Sequence, residues 1–186
     1  SFIMLYSLVY HTSVGNTSMA MMVYLAIAFS GIVSDVVRKI MTKKVKENEL
    51  SNLCLILSSL FVFLLTLPST ALNIVGIILS STFANILVSL VNVNYMKDQR
   101  YKTEERALVK TRLQTAGSIM EQLVLFFTIY IVGETGIHIN LLEPYVNGTP
   151  NPEISLILRA TGLICSLMLL IIAILIVCFA GKRRKN

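Results

Sequence analysis

Five long apolar runs constrain this chain more than any other feature of its sequence. A helical run of about 20 apolar residues matches the ~30 Å hydrocarbon layer of a bilayer, and a soluble core rarely holds several of them. The composition, 55% hydrophobic and 14% charged, with a mean hydropathy of +0.74, also lies outside the usual soluble range. The sequence therefore predicts an all-α membrane protein in a lipid bilayer. Its five complete spans are expected at residues 18–38, 50–67, 71–93, 107–132 and 154–180.

Residues 1–10 are also apolar, but they are too few to cross a membrane. A signal peptide would begin with a basic region, and these residues have none. We therefore interpret them as the end of a sixth helix that begins upstream. Residues 1–186 then form a single transmembrane domain, a polytopic helix bundle of five complete helices and the end of a sixth helix at the N-terminus.

The positive charges indicate how the bundle is oriented. Fifteen of the 16 Lys and Arg residues fall in three clusters, within residues 34–46, 97–112 and 182–185, and only Arg159 lies elsewhere. The clusters occupy alternate connections between spans, so all three share one face of the membrane. Because Lys and Arg near helix ends are retained in the cytoplasm, we expect this face and the C-terminus to be cytoplasmic. The same placement explains the net charge of +6 without a nucleic-acid partner.

The other connections fit an outer or luminal face. A turn at Pro68 carries no charge, and the long loop 133–153 holds acidic residues but no Lys or Arg. Two Asn-x-Ser/Thr sequons, at Asn16 and Asn147, also fall on this face. Both asparagines are therefore candidate glycosylation sites.

The first basic stretch carries a more specific pattern. Gly31 is followed after three residues by Asp35 and then by Arg38 and Lys39. This order resembles the signature loop of the major facilitator superfamily, although Arg38 stands where that pattern has a second glycine. The second charged stretch, residues 105–112, is similar to the start of the fifth or eleventh helix in that family, and its mixed charges resemble the branch of cation-coupled glycoside symporters.

The resemblance implies a fold and a function together. The chain would be one six-helix half of a secondary transporter, which rocks against a second half and moves a small solute with H⁺ or Na⁺. By the same resemblance Asp35 and Arg38, with Arg106 and Arg112, would form a cytoplasmic gate. The alternative for these four side chains is that they are solvated charges that only fix the topology.

Glu121 is the candidate site residue with the clearest physical argument. It lies nine residues beyond Arg112, about 13 Å along a helix and close to the membrane midplane. A carboxyl group there is costly unless it is protonated, paired or facing water, so it is a candidate for binding a proton or cation. The alternative is a structural hydrogen bond to Asn85 or to a serine.

Asn85, Gln114 and Ser81 are the other candidates for contact with a solute or ion. Serine hydroxyls in membrane helices often bond only their own backbone, which is the alternative for Ser81. The three cysteines, Cys54, Cys165 and Cys178, lie within apolar runs and lack metal-ligand spacing. We therefore expect no metal and no cofactor. The sequence also has no phosphate-binding glycine loop and no Gly-x-Ser-x-Gly motif, so we expect no enzyme activity. The second functional hypothesis is a multi-span subunit that packs against a larger membrane complex and transports nothing.

Overall fold

The structure, a computed structural model, describes residues 2–97, 102–136 and 154–183. These residues form helices and short connections, and no strand occurs among them. The predicted all-α helix bundle is confirmed. The α-helices are α1 (Phe2–Ser13), α2 (Thr17–Met41), α3 (Glu47–Val62), α4 (Thr70–Lys97), α5 (Thr103–Gly136) and α6 (Ile154–Arg183), and a 3-10 turn (Phe63–Thr66) follows α3.

Five of the helices are long and apolar enough to cross a membrane, as predicted. Only 22% to 39% of the most apolar part of each candidate span is buried by the protein. Large apolar side chains on the remaining surface suit lipid, which is as apolar as a protein interior. The candidate spans are Ser18–Met41, Glu49–Thr66, Thr70–Tyr95, Glu105–Gly133 and Ile154–Phe179.

The connection between α1 and α2 is a tight turn with both helix ends capped. Gly15 has φ 79°, a left-handed conformation that glycine adopts without a Cβ penalty. The amides of Gly15 and Asn16 donate to the carbonyls of Thr12 and His11, at 3.0 and 2.8 Å. This pattern is a Schellman motif, which satisfies the last carbonyls of α1. The Asn16 side chain then accepts from the Met19 amide at 3.2 Å and caps the start of α2.

Replacing Asn16 with Ala should therefore destabilise the protein by about 1 kcal/mol, because the first turn of α2 loses its side-chain acceptor. Asn16→Asp keeps an acceptor at this place and should cost much less, although both changes remove the glycosylation sequon. Unfolding in mixed micelles measures the difference. Equal stability of the two variants would contradict the capping role.

The predicted turn at Pro68 is present, and the buried side-chain amide of Asn73 forms hydrogen bonds across it. The 3-10 turn ends α3, and α4 starts at Thr70. The Asn73 side chain donates from Nδ2 to the Leu67 carbonyl at 2.9 Å and to the Ser69 carbonyl at 2.7 Å. The Ser69 carbonyl also accepts from the Asn73 backbone amide at 3.0 Å, so the Asn73 side chain joins the Leu67 carbonyl to the first turn of α4.

The bundle has two apolar clusters. The larger lies among α1, α2, α4, α5, α6 and the end of α3, and it includes Val23, Ile77, Leu125 and Leu158. The smaller lies at the basic end, where Leu50 and Cys54 of α3 pack against α4. At the α2–α4 contact, α2 presents the small residues Ala26, Ser30 and Ser34 at intervals of four, and all three are buried. Small residues at this spacing let membrane helices approach closely.

An aromatic ladder joins α1 to α6. Phe2, Tyr6 and Tyr10 stack successively, with ring centroids 5.8 and 6.3 Å apart. The buried Tyr6 hydroxyl donates to the Leu158 carbonyl at 3.0 Å, and its ring lies where Gly162 leaves no Cβ. These contacts fix α1 against α6 and place Phe2 between the helices that surround Glu121.

Candidate functional site

Glu121 lies close to the middle of the candidate span of α5 and is partly buried. Two neighbouring cavities, the apolar cavity and the serine cavity defined below, both include Glu121 in their lining. Phe2 and Leu169 line both cavities as well. Glu121 therefore contributes to the lining of two neighbouring clefts, both beside the first described residue of α1.

The apolar cavity lies between α5 and α6 and has a volume of about 190 Å³. Apart from the Glu121 carboxyl group, its walls are almost entirely hydrocarbon, sulfur and one aromatic ring. Its lining residues are Phe2, Gly117, Met120, Glu121, Val124, Cys165, Met168, Leu169 and Ile172. Of these residues only Phe2 and Cys165 are buried, so the apolar cavity opens at the surface of the bundle.

The serine cavity lies on the α3 side of Glu121 and has a volume of about 180 Å³. Ser58 and Ser59 line it, and both hydroxyls donate to the Leu55 carbonyl, at 3.0 and 2.9 Å. A donating hydroxyl still has lone pairs that can accept a hydrogen bond. The two serines lie at the middle of the span Glu49–Thr66. The serine cavity is therefore close to the same depth as Glu121 and offers acceptors there.

The other predicted contact residues lie away from these cavities. Asn85 donates from Nδ2 to the Ser30 hydroxyl at 3.4 Å, across the α2–α4 contact. Ser81 is buried within the bundle, whereas Gln114 is exposed. Of the four predicted solute or ion contacts, Glu121 alone lines the two cavities. Contact of the other three with a solute stays a prediction.

The predicted gate residues are distributed over α2 and α5. Asp35 and Arg112 are exposed, and Arg106 is partly buried. Arg38 donates to the Ser89 hydroxyl of α4, so its guanidinium contributes to the α2–α4 contact. No ion pair joins Asp35 to either arginine of α5 in the described part of the chain. A latch between Asp35 and α5 in another conformation stays a prediction.

Arg159 has a partner that the sequence did not suggest. From its place near the start of the last span, the sequence predicts that Arg159 reaches outward and pairs with Glu143 or Glu153; both carboxylates lie outside the described residues. In the structure the Arg159 Nε donates to the Tyr10 hydroxyl at 3.0 Å, and its guanidinium carbon lies 5.8 Å from the Tyr10 ring centroid. This hydrogen bond and cation–π contact join the C-terminal end of α1 to α6.

His11 lies next to Tyr10 at the end of α1, outside the candidate membrane spans, and is 5% exposed. Its ring meets the Tyr10 ring edge to face at 5.1 Å. Burial lowers the pKa of His11 below its usual value, because the charged imidazolium loses water. The folded protein therefore holds this imidazole neutral at pH 7.

Acidification should consequently destabilise the fold through His11. Below the ordinary histidine pKa of about 6.5, the unfolded chain binds a proton that the folded chain binds less tightly. The free energy of unfolding therefore decreases as the pH is lowered. We expect the melting temperature in detergent to decrease between pH 7.5 and 5.5, and His11→Gln to reduce that decrease. An unchanged pH dependence in His11→Gln would contradict this assignment.

Of the two glycosylation candidates, Asn16 is the N-cap of α2 and lies two residues before a candidate span. Asn147 lies outside the described residues. Cys54 and Cys165 are buried free thiols and Cys178 is an exposed one. In the described ranges, no group of three His, Cys, Asp or Glu side chains could hold a metal ion.

Sequence reasoning did not identify the serine pair or the aromatic ladder. Ser58 and Ser59 gave no signal, because serines in apolar helices commonly bond their own backbone. The ladder did leave a signal, since Phe2, Tyr6 and Tyr10 recur every four residues and so share one helical face. The sequence did not show that this face packs on α6.

Comparison with known proteins returns no match. No family model fits the chain, and neither the curated proteins nor the solved structures include one that is significantly similar to it.

Proposed function

We propose that the chain is one six-helix half of a secondary transporter of the major facilitator type, which moves a small solute by alternating access. Glu121 is the residue that binds the coupled H⁺ or Na⁺, or a cationic solute. The other six-helix half completes the transport path. The resemblance of residues 31–39 and 105–112 to that family supports the proposal.

The observation that carries the proposal is the partly buried position of Glu121 near the middle of the candidate span of α5. A carboxyl group at this depth is unfavourable unless something stabilises it, and such residues usually mark pathways for ions or solutes. Alternating access requires a central site of this kind, which is reached from one side at a time.

Uptake into proteoliposomes tests the proposal. The full-length protein is reconstituted, and radiolabelled small sugars, amines and amino acids are offered under an inward H⁺ or Na⁺ gradient. We expect at least one solute to accumulate, and the accumulation to disappear when the gradient is dissipated. Failure of every solute class, with the protein folded, would contradict transport.

The proposed orientation places the basic clusters and the C-terminus in the cytoplasm. Lys44→Cys and Arg184→Cys, each in a variant without the three native cysteines, should react with a membrane-impermeant maleimide only from the cytoplasmic side. Ser69→Cys, in the turn after Pro68, should react only from the opposite side. Labelling of residues 44 and 184 from different sides would contradict the six-helix topology.

A non-transporting subunit of a larger membrane complex is the second candidate, and the surface of α5 favours it. Among the α5 residues whose burial is described, only Leu125, Ile129 and Gly133 are buried. Such a helix has room for a protein partner as well as for lipid. A subunit would show no solute accumulation in the same assay, and Glu121→Gln would weaken assembly rather than uptake.

A further inference from the structure

We propose that the basic end of α2 binds an anionic phospholipid of the adjoining membrane leaflet. The acyl chains contact the side chains of Val36 and Ile40. The phosphate group lies among the ammonium groups of Lys39, Lys43 and Lys44, which we call the lysine collar. The proposal goes beyond transport and does not depend on it. In the orientation proposed above, this leaflet is the cytoplasmic one, where anionic lipids are concentrated.

The charge at this end of α2 is positive over an unbroken stretch. Residues 38–46 include five Lys or Arg residues and no Asp or Glu. The nearest acids along the chain are Asp35, about one turn further into the span of α2, and Glu47, in the first turn of α3. Glu47 lies where a carboxylate interacts favourably with the helix dipole. All three side chains of the lysine collar are exposed. A phosphate group therefore has complementary charge at this place.

An apolar surface lies directly beside the lysine collar. Val36 and Ile40 are 55% and 54% exposed, and their spacing of four places them on the same face of α2. Both belong to the last turns of the candidate span of this helix. Lys44 follows Ile40 by four residues, and Lys43 follows Lys39 by the same interval. An upright phospholipid on this face has its chains beside apolar side chains and its phosphate at the level of the ammonium groups.

The turn that carries the lysines is held in place by the protein. The amide and the hydroxyl of Thr42 both donate to the Arg38 carbonyl at 2.9 Å. The amides of Lys44 and Val45 donate to the Met41 carbonyl at 3.0 and 2.9 Å. Met41 and Val45 also pack against the smaller apolar cluster. The backbone of the lysine collar is therefore ordered before a lipid binds, which reduces the entropic cost of binding.

Native mass spectrometry of the full-length protein in detergent tests the proposal. Dioleoyl phosphatidylglycerol and dioleoyl phosphatidylcholine are titrated separately, since they share their acyl chains and differ in net charge. We expect the first phosphatidylglycerol to bind at least about tenfold more tightly, because each lysine near an anionic headgroup adds to the attraction. The choline group offsets the phosphate charge of the other lipid.

The lysine collar is tested by a triple variant that combines Lys39→Gln, Lys43→Gln and Lys44→Gln. The three side chains are exposed, so the variant should fold. We expect the preference for phosphatidylglycerol to decrease to less than about twofold, because the charges that attract the phosphate are gone. Unchanged binding of phosphatidylcholine checks that the apolar surface is intact.

The second basic stretch provides a control with the same change in charge. Residues 102–112 include four Lys or Arg residues, but Glu104 and Glu105 lie among them and repel a phosphate group. The control variant combines Lys102→Gln, Lys110→Gln and Arg112→Gln. It should retain most of the preference for phosphatidylglycerol.

Three outcomes would overturn the proposal. Equal binding of the two lipids would exclude recognition of the anionic headgroup. An equal loss of preference in the two triple variants would show that the overall charge of the basic face attracts the lipid. Displacement of phosphatidylglycerol by an equal concentration of soluble glycerol 3-phosphate would show that the acyl chains contribute nothing. None of these measurements involves solute uptake, so lipid binding and transport are tested separately.

Discussion

Glu121→Gln should reduce gradient-driven uptake by more than about tenfold, because the amide can neither carry a proton nor neutralise a cation in the membrane interior. The two side chains have nearly the same shape, so the lining of both cavities is preserved. The measurement is the initial rate of solute accumulation in proteoliposomes. Counterflow, in which labelled solute exchanges for unlabelled solute without a gradient, separates coupling from binding. A proton carrier that does not bind solute should lose accumulation and retain counterflow, whereas a residue that binds the solute should lose both.

Two matched variants keep this prediction specific. Glu121→Asp retains the carboxyl group on a shorter side chain and should retain part of the uptake. Gln122→Ala changes the next residue, which is exposed, and should leave uptake unchanged. If Glu121→Gln transports at the normal rate, Glu121 has no part in coupling. An equal loss in Gln122→Ala would indicate damage to α5 as a whole.

The helices of this protein were predictable because each is delimited by local chemistry. Pro68 ends the second predicted span as expected, since proline lacks an amide donor. The basic stretch was predicted as a loop after residue 38, but α2 continues to Met41. Lys and Arg are good helix formers, so Arg38 and Lys39 extend the helix beyond its apolar part. The first charges of the basic stretch therefore did not mark the end of the helix.

The neighbours of Glu121 were not predictable, because a membrane removes the usual signal for inward faces. In water, an apolar stripe shows which side of a helix is buried. In lipid, both sides are apolar, so Leu125, which is fully buried, and Leu123, which is 59% exposed, look alike in the sequence. The depth of Glu121 could be counted along α5. Its direction, toward Phe2 and Leu169, depends on contacts among helices far apart in sequence.

Gly162→Ala should be the most destabilising small substitution in the described bundle, with an expected loss of about 2–4 kcal/mol. A Cβ at Gly162 would lie 2.3 Å from the Tyr6 hydroxyl oxygen and 2.5 Å from the ring carbon that bears it. Tyr6 is 1% exposed and cannot move without breaking its hydrogen bond to the Leu158 carbonyl. Unfolding by SDS in mixed micelles measures the loss. Gly31→Ala, where a Cβ meets nothing within 4 Å, is the control and should change the stability by less than about 0.5 kcal/mol.

A double-mutant cycle with Tyr6→Ala distinguishes this clash from a general effect on α6. Tyr6→Phe is unsuitable, because the ring carbon would still lie 2.5 Å from the new Cβ. Tyr6→Ala removes the ring and is itself destabilising, but it vacates the space that Gly162→Ala needs. The double variant should therefore be only slightly less stable than Tyr6→Ala alone, which gives a coupling energy of at least about 1 kcal/mol. Additive losses would place the damage elsewhere on α6. They would also remove the aromatic ladder as the contact that holds α1 and Phe2 beside Glu121.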